Sequence, residues 1–207
     1  MLEEEYQPRR RLPRHLRPAP APQPQFAFSV RPATEADLPH IREIYNHYVA
    51  NSTVTFDEKR WTLRGLRSKF AHVHKLGYPF VVAVSPTNQV LGFAYVYPWK
   101  EKAAYRYTVE NSIYLGPAST GKGLGTALLR ELMDRSQEAG VREIIAVIAD
   151  QGAEASIRLH ERFGFRQTGA MGRVGYKFDR WLGIVLLQKS LAPRKDTPLS
   201  ARRPLYS

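Results

Sequence analysis

The sequence predicts one α/β (α+β) domain, a mixed sheet flanked by helices, on three observations. Strand-like and helix-like stretches follow one another in the order β-α-α-β-β-β-α-β-α-β-β, with no internal repeat. A turn rich in glycine, with Gly121, Gly123 and Gly125, joins the end of a strand to an amphipathic helix. The 207 residues are 43% hydrophobic, enough for one packed core. No apolar run approaches the roughly 20 residues that would cross a bilayer.

The stretch from Gln7 to Gln25 is rich in Pro and Arg, has no strand or helix period, and reads as a disordered arm over residues 1–25. The folded domain is expected over residues 26–190, with a flexible tail over 191–207. Within the domain, Phe26 to Arg31 is a short strand signal. Thr34-Glu35-Ala36-Asp37 then looks like a helix cap with acids in the first turn, and Leu38, Ile41, Tyr45, Tyr48 and Val49 follow at helical spacing. A second helix is expected from Leu63 to Lys75, stopped by Gly77 and Pro79. Phe80 to Val84 and Val90 to Tyr97 flank a turn at Ser85 to Asn88 and read as a hairpin. A longer strand follows from Tyr105 to Leu115. Beyond the glycine turn come a helix from Leu124 to Ala139, a buried strand from Glu143 to Ala149, a helix from Ala153 to Phe163, and closing strands at Phe165 to Arg173 and Trp181 to Leu187.

Charge and composition narrow the function classes. The net charge of +12 raises nucleic acid as a partner, but residues 1–25 carry five Arg against three Glu and residues 189–207 carry five Lys or Arg against Asp196. Half of the charge therefore lies in the ends, and what remains suits a polyphosphate ligand as well as a nucleic acid, which makes nucleic acid the weaker expectation. Cysteine is absent, which excludes disulfides, thiolate catalysis and cysteine metal sites and fits a reducing compartment. His72 and His74 stand two apart on a helix and point to different faces, so no metal site is expected. With no apolar signal region near the N-terminus, the expectation is a cytoplasmic protein without a membrane partner.

Ile113-Tyr114-Leu115 ends a strand, and the glycines after it lead into the helix carrying Leu128, Leu129 and Leu132. Glycines there let backbone N–H groups of Gly121, Lys122, Gly123, Leu124, Gly125 and Thr126 gather at a helix N-terminus, where the partial positive charge holds a phosphate, and the Lys122 side chain adds a point charge. A tight strand-to-helix connection with no ligand is the competing reading. The turn is neither a P-loop nor a dinucleotide fingerprint, because the spacing of both fails.

The run from Thr120 to Gly125 resembles the pyrophosphate-binding turn of the GNAT superfamily of N-acetyltransferases, with Thr120 where that superfamily usually has Gln or Arg. Ser156 to Phe165 is similar to the superfamily's later Asn-x-x-Ser helix ending in Gly-Phe, with Ala153 in place of the Asn. Within the superfamily the resemblance is to phosphinothricin N-acetyltransferases. It is carried by Ile44 to Tyr48, Ser52 to Phe56, Pro98 to Lys100, Tyr105, Thr108 to Glu110, Val147-Ile148, Ser156 to His160, Gly175 to Lys177 and Trp181. Leu182-Gly183 stands where those enzymes have His-Asp.

The resemblance implies a single domain built on a mostly antiparallel twisted sheet, acetyl-CoA as co-substrate, a small amine such as phosphinothricin or methionine sulfoximine as acceptor, and a homodimer. It places the cofactor on Ile113, Tyr114, Leu115, the glycine turn and Ser156. It implies Glu110 as general base, where a surface glutamate is the alternative, and His160 as the acid for the departing thiolate, where a partly buried helix histidine is the alternative. A backbone N–H near Tyr114 or Leu115 would stabilise the oxyanion. Tyr105, Arg106 and Lys177 are candidates for acceptor recognition, since a carboxylate or phosphinate calls for cationic and hydroxyl donors, and Arg106 and Lys177 read equally as solvated charges. Another amine acceptor, a non-catalytic acyl-CoA binder and a basic nucleic-acid binder are the remaining readings.

Overall fold

The computed structural model describes residues 26–193, so the expected arm over 1–25 and most of the expected tail lie outside the described residues. Seven strands form one sheet in the order β1-β2-β3-β4-β5-β7-β6. The strands are β1 (Ser29–Pro32), β2 (Phe80–Val84), β3 (Val90–Pro98), β4 (Thr108–Leu115), β5 (Glu143–Ala149), β6 (Arg166–Lys177) and β7 (Arg180–Ser190). Every neighbouring pair is antiparallel except β4 and β5. The helices are α1 (Leu38–Asn51), α2 (Leu63–Lys75), α3 (Leu124–Glu138) and α4 (Glu154–Arg162). Among the described residues no helix is long and apolar enough to cross a membrane.

The strand alternation sorts the helices onto two faces. Phe80 of β2 meets Phe70 of α2, and Tyr114 of β4 meets Tyr45 of α1, so α1 and α2 cover the face that also carries Tyr95, Tyr97, Glu110 and Ser112. The opposite face carries Asn111 and Leu115 and receives α4 through His160 and α3 near Gly125. All five residues of β2 are buried, as a strand covered on both faces requires. On α3 the fully buried Leu124, Leu128, Leu129 and Leu132 form one stripe.

Several boundaries differ from the sequence expectation: the first strand starts at Ser29 rather than Phe26, the last runs from Arg180 to Ser190 rather than from Trp181 to Leu187, and two more differ for a visible reason. The strand expected from Tyr105 starts at Thr108, because Ala103–Tyr105 closes a 3-10 turn in which the Arg106 N–H donates to the Ala103 carbonyl at 3.1 Å. The penultimate strand runs to Lys177 rather than Arg173. Its hairpin turns on Phe178 and Asp179, both with positive φ (52° and 57°), and no glycine announces it.

The entry to α1 is tied by one carboxylate. Asp37 accepts from Arg31 Nη1 and Nη2 at 2.7 and 2.8 Å and from the Thr34 backbone N–H and hydroxyl at 2.8 and 3.0 Å. The same guanidinium donates to Asn88 Oδ1 at 3.0 Å, joining β1 to the β2–β3 turn. Burial would push the Asp37 carboxyl up, yet the Arg31 and Thr34 donors outweigh it and hold it below the ordinary carboxylate range.

Asp37→Ala should therefore lower stability by about 2 kcal/mol in urea unfolding at neutral pH. Because the folded value lies below the unfolded one, the contribution is full above the unfolded value, near ~3.9, and is lost as pH falls through the folded value. The gap between wild type and variant should close in acid, and a gap that persists there would assign the loss to packing instead.

Candidate active site

β4 and β5 are paired over only four positions, Thr108 to Asn111 against Glu143 to Ala146, and part beyond them. Past that point the backbone groups of Ser112–Leu115 that face away from β3 have no partner strand. One of them, the Leu115 carbonyl, accepts from the Tyr48 hydroxyl at 2.7 Å. A cavity of about 380 Å³ fills the gap. Ser112 to Leu115 line it on one side and Ala146 to Ile148 on the other, with Thr120 and Gly125 of the glycine turn, Ala153 and Ser156 of the α4 entry, and Tyr48 and Val54 over the opening.

The glycine turn delivers α3 to this gap. Gly121 and Gly123 have φ of 74° and 83°, which an L side chain rarely adopts, and Gly123 is the N-cap of α3 with no side chain capping the helix. The first N–H groups of the helix are thereby left for a ligand, and no acidic side chain stands in the first turn to compete with an anion. Gly125 lines the cavity and packs close to α4, since a Cβ there would stand 3.2 Å from Leu159 Cδ2.

Several expected cofactor residues take narrower parts. Leu124 is fully buried, so only its backbone faces the turn. The Tyr114 ring is packed in the core against Tyr45 and Phe93, which leaves its backbone for the gap. Thr126 is half-buried on the first turn and outside the cavity lining. The Lys122 ammonium donates to the Ala118 carbonyl at 2.8 Å and sits 4.2 Å from the centre of the Phe26 ring, folded back along its own turn. Ile113, Leu115 and Ser156 line the cavity.

Unpaired strand backbone, a free helix N-terminus and one orphaned acceptor make a site for an extended ligand with amides along its length and phosphate at one end. The orphan is Asn111 Oδ1, which is buried and has no hydrogen-bond partner among the described residues. These features fit a CoA thioester. Among the described residues, no group of three or more His, Asp or Glu is placed to hold a metal ion.

Glu110 lines the cavity from the α1/α2 face. Its carboxylate accepts no hydrogen bond among the described residues, so its lone pairs are free. Burial pushes its pKa up, and the positive charges of Lys69 and Lys100 pull it down. The net shift is upward, so Glu110 is a part-buried carboxylate in the cavity wall rather than a solvated surface glutamate.

His160 lines the cavity from α4. It is 3% exposed, and both ring nitrogens are engaged: Nδ1 lies 2.8 Å from the Ser156 carbonyl and Nε2 lies 2.9 Å from Asn111 Nδ2. A carbonyl only accepts, so Nδ1 carries the proton and Nε2 accepts from the Asn111 amide. Burial lowers the pKa further, against the Ser156 carbonyl, and the ring is neutral. In this arrangement neither ring nitrogen of His160 is left without a partner. The ring fixes Asn111 on the face opposite Glu110.

The acceptor-recognition candidates are not brought together. Tyr105 and Arg106 are exposed on the 3-10 turn after β3, where the Arg106 guanidinium donates to the Ala103 carbonyl at 3.1 Å, and neither lines the cavity. Lys177 is 2% exposed, and its ammonium donates to the carbonyls of Ser52 and Thr55 at 2.8 and 2.9 Å. It is neither a solvated charge nor an open anion donor, and it ties β6 to the loop that places Val54 over the cavity. Phe56 packs where a Cβ of Gly175 would lie, and the Asp57 carboxylate accepts from the Tyr45 hydroxyl at 2.6 Å and from Trp61 Nε1 at 3.3 Å. Sequence reasoning missed Tyr48 and Asn111 as site residues. Tyr48 sits within an apolar helix stripe, while Asn111 was legible as the polar break among inward-facing residues of β4.

Comparison with known proteins agrees with this geometry. The acetyltransferase (GNAT) family matches residues 41–165. An L-methionine sulfoximine/L-methionine sulfone acetyltransferase of Pseudomonas aeruginosa is 39% identical over 173 residues, covering 84% of this chain and 100% of the relative. A phosphinothricin N-acetyltransferase of Alcaligenes faecalis is 38% identical over 165 residues, covering 80% of this chain and 83% of the relative. The crystal structure of a phosphinothricin acetyltransferase from Sinorhizobium meliloti in complex with acetyl-CoA superposes with a TM-score of 0.79 at 38% identity, covering 86% of this chain and 96% of that one.

His160→Phe should lower stability by about 2 kcal/mol through the two lost hydrogen bonds, while the rate of acetyl transfer per folded molecule stays close to wild type. A large fall in rate at unchanged melting temperature would return His160 to the chemistry.

Proposed function

This chain belongs to the acetyltransferase (GNAT) family, and we propose that it acetylates the α-amine of an amino acid whose side chain ends in a tetrahedral, anion-like group, as in methionine sulfoximine or phosphinothricin. The observation that carries the reading is the gap between β4 and β5, with the free N-terminus of α3 at one end and the unpartnered carboxylate of Glu110 at the other. Acetyl-CoA supplies the acetyl group as a thioester, whose C–S bond breaks as the new C–N bond forms.

The first turn of α3 holds the phosphates, and the strand edges of Ser112–Leu115 and Val147-Ile148 hold the arm along the gap. Glu110 takes the proton that the acceptor amine must lose before its lone pair can attack, since an α-amine with a reference pKa of about 8 is largely protonated at neutral pH. A backbone N–H near Tyr114 or Leu115 meets the charge that develops on the carbonyl oxygen.

A second acceptor class, another amino acid or a peptide N-terminus, is favoured by one feature. Where phosphinothricin enzymes have His-Asp, Leu182 is buried and Gly183 donates its N–H to Asp150 Oδ1 at 3.1 Å. A Cβ at 183 would collide with that carboxylate and stand 2.8 Å from the Met171 carbonyl, so β7 here excludes the side chain those enzymes carry. The working unit in this reading is a cytoplasmic homodimer. Its support is the cluster of exposed apolar residues on the β6–β7 hairpin, Met171, Val174, Tyr176, Phe178 and Trp181, which a second copy would cover.

Thiol release from acetyl-CoA against phosphinothricin, methionine sulfoximine, common amino acids and peptide N-termini should show turnover with the tetrahedral amino acids. Turnover with a different amine alone would select the second class. Glu110→Gln should lower turnover roughly 100-fold at neutral pH with acetyl-CoA affinity unchanged, and wild-type turnover would remove Glu110 from the reaction.

A further inference from the structure

Lys69 lies where α2 calls for an apolar residue. The stripe that α2 buries runs through Leu66, Phe70 and Val73, and Lys69 lies within it, half-buried, rather than on the solvent face. Its ammonium is enclosed by aromatic rings, 4.8 Å from the centres of Trp61 and Tyr95 and 5.3 Å from that of Tyr97. The Tyr95 hydroxyl accepts from it at 2.9 Å. An ammonium has three donors, and the structure gives this one a single acceptor. Among the described residues no carboxylate lies within ion-pair distance of it. Ring faces attract a cation without neutralising it, so the charge of Lys69 projects beyond the cage.

Asp57, Tyr97 and Glu110 share that charge, Asp57 most strongly. Glu110 pairs across the sheet with Tyr97, one wall of the cage, and lies on the same face as Tyr95. The groups around it come from each neighbouring element: Lys69 from α2, Tyr95 and Tyr97 from β3 and Lys100 from the β3–β4 connection, while Asp57 of the α1–α2 loop acts on Lys69 and Tyr95. On β5 the partner of Glu110 is the apolar Ile145. Asp57 already accepts from Tyr45 and Trp61, whereas Glu110 accepts from nothing.

We propose that Lys69 is a positioning residue for acetyl transfer: its caged ammonium, held short of an ion pair, supplies the positive field that keeps Glu110 ionised while leaving both carboxylate oxygens open to the acceptor's proton. A direct ion pair would occupy those oxygens, and without Lys69 the charge opposing burial would fall to Lys100. The cage supplies charge without contact. Burial alone drives Glu110 toward its protonated form, and Lys69 stands first among the charges that oppose it.

The inference rests on Glu110 as the base, and its test separates the two. In full-length protein carrying carbon-13 glutamate, the Glu110 carboxyl resonance is identified by its loss in Glu110→Gln, and its titration midpoint is measured in wild type, Lys69→Met, Lys69→Gln and Lys69→Arg. The neutral variants should raise the midpoint by roughly 1 pH unit and carry the acidic limb of kcat/KM upward with it, while Lys69→Arg restores both. Lys69→Gln keeps a donor for Tyr95, so a folding defect in Lys69→Met does not decide the outcome, and cooperative melting identifies the folded variants. An unmoved midpoint in either folded neutral variant overturns the role of Lys69. Wild-type turnover in Glu110→Gln overturns the base assignment, and with it any catalytic consequence of the field, whatever the midpoint does.

Discussion

Four residue pairs join β4 to β5, and the site exists because there are no more. A parallel pair that continued would spend its backbone groups on itself and close the cavity. By parting after Asn111 and Ala146, the two strands leave polar edges facing each other across a space that protein does not fill. Unmet backbone groups in a protein interior are costly, so such a gap persists where a ligand with its own amides completes the ladder. The neighbours hold the gap open from outside. β3 pairs β4 along its whole length, and β5 pairs β7 from Glu143 to Ala149, so neither strand can swing across to meet the other.

The parting also sets the chemistry, because it lets both faces of the sheet reach one cavity. Glu110 and Asn111 are adjacent in sequence and point to opposite sides. One is surrounded by α1, α2 and their aromatic residues, the other by α4 and His160. On the α4 side the ring of His160 is locked through both its nitrogens, which suits a wall. On the α1/α2 side charges are held apart by rings, which suits proton transfer. The loop after α1 contributes Val54 to the cavity wall, and its position depends on a lysine buried against its carbonyls and on a glycine that makes room for Phe56.

The order of elements was legible in the sequence because each helix and strand has a clear apolar period, and the glycine turn because Gly121 and Gly123 occupy positions that exclude other residues. Glu110 was legible only through the resemblance, since β4 (Thr108–Leu115) mixes polar and apolar residues. What was not legible depends on long-range placement. Lys177 is 122 residues along the chain from Thr55, and a cation in a Gly-Tyr-Lys run gives no sign that it will be buried on carbonyls. His160 was balanced between two readings because sequence does not reveal that Ser156 and Asn111 take both nitrogens. Nothing in the sequence singles out Lys69, since only the fold puts three aromatic rings around it.

Leu182-Gly183, which stands where the resemblance to phosphinothricin enzymes implies His-Asp, is tied to its neighbours rather than independent of them. Gly183 holds Asp150 by its N–H, and the room that a side chain there would need is taken by that same carboxylate and by the β6 backbone at Met171. A relative with Asp at this point of β7 must place Asp150, or β6, differently. β6 in turn carries Gly175 and Lys177, which position the loop bearing Val54 over the cavity. A change at 183 therefore bears on Asp150 and on the Met171 backbone of β6, without touching Glu110 or the glycine turn. Those two rest on β4 and on its connection to α3, so this part of β7 can vary while the cavity between β4 and β5 keeps its walls.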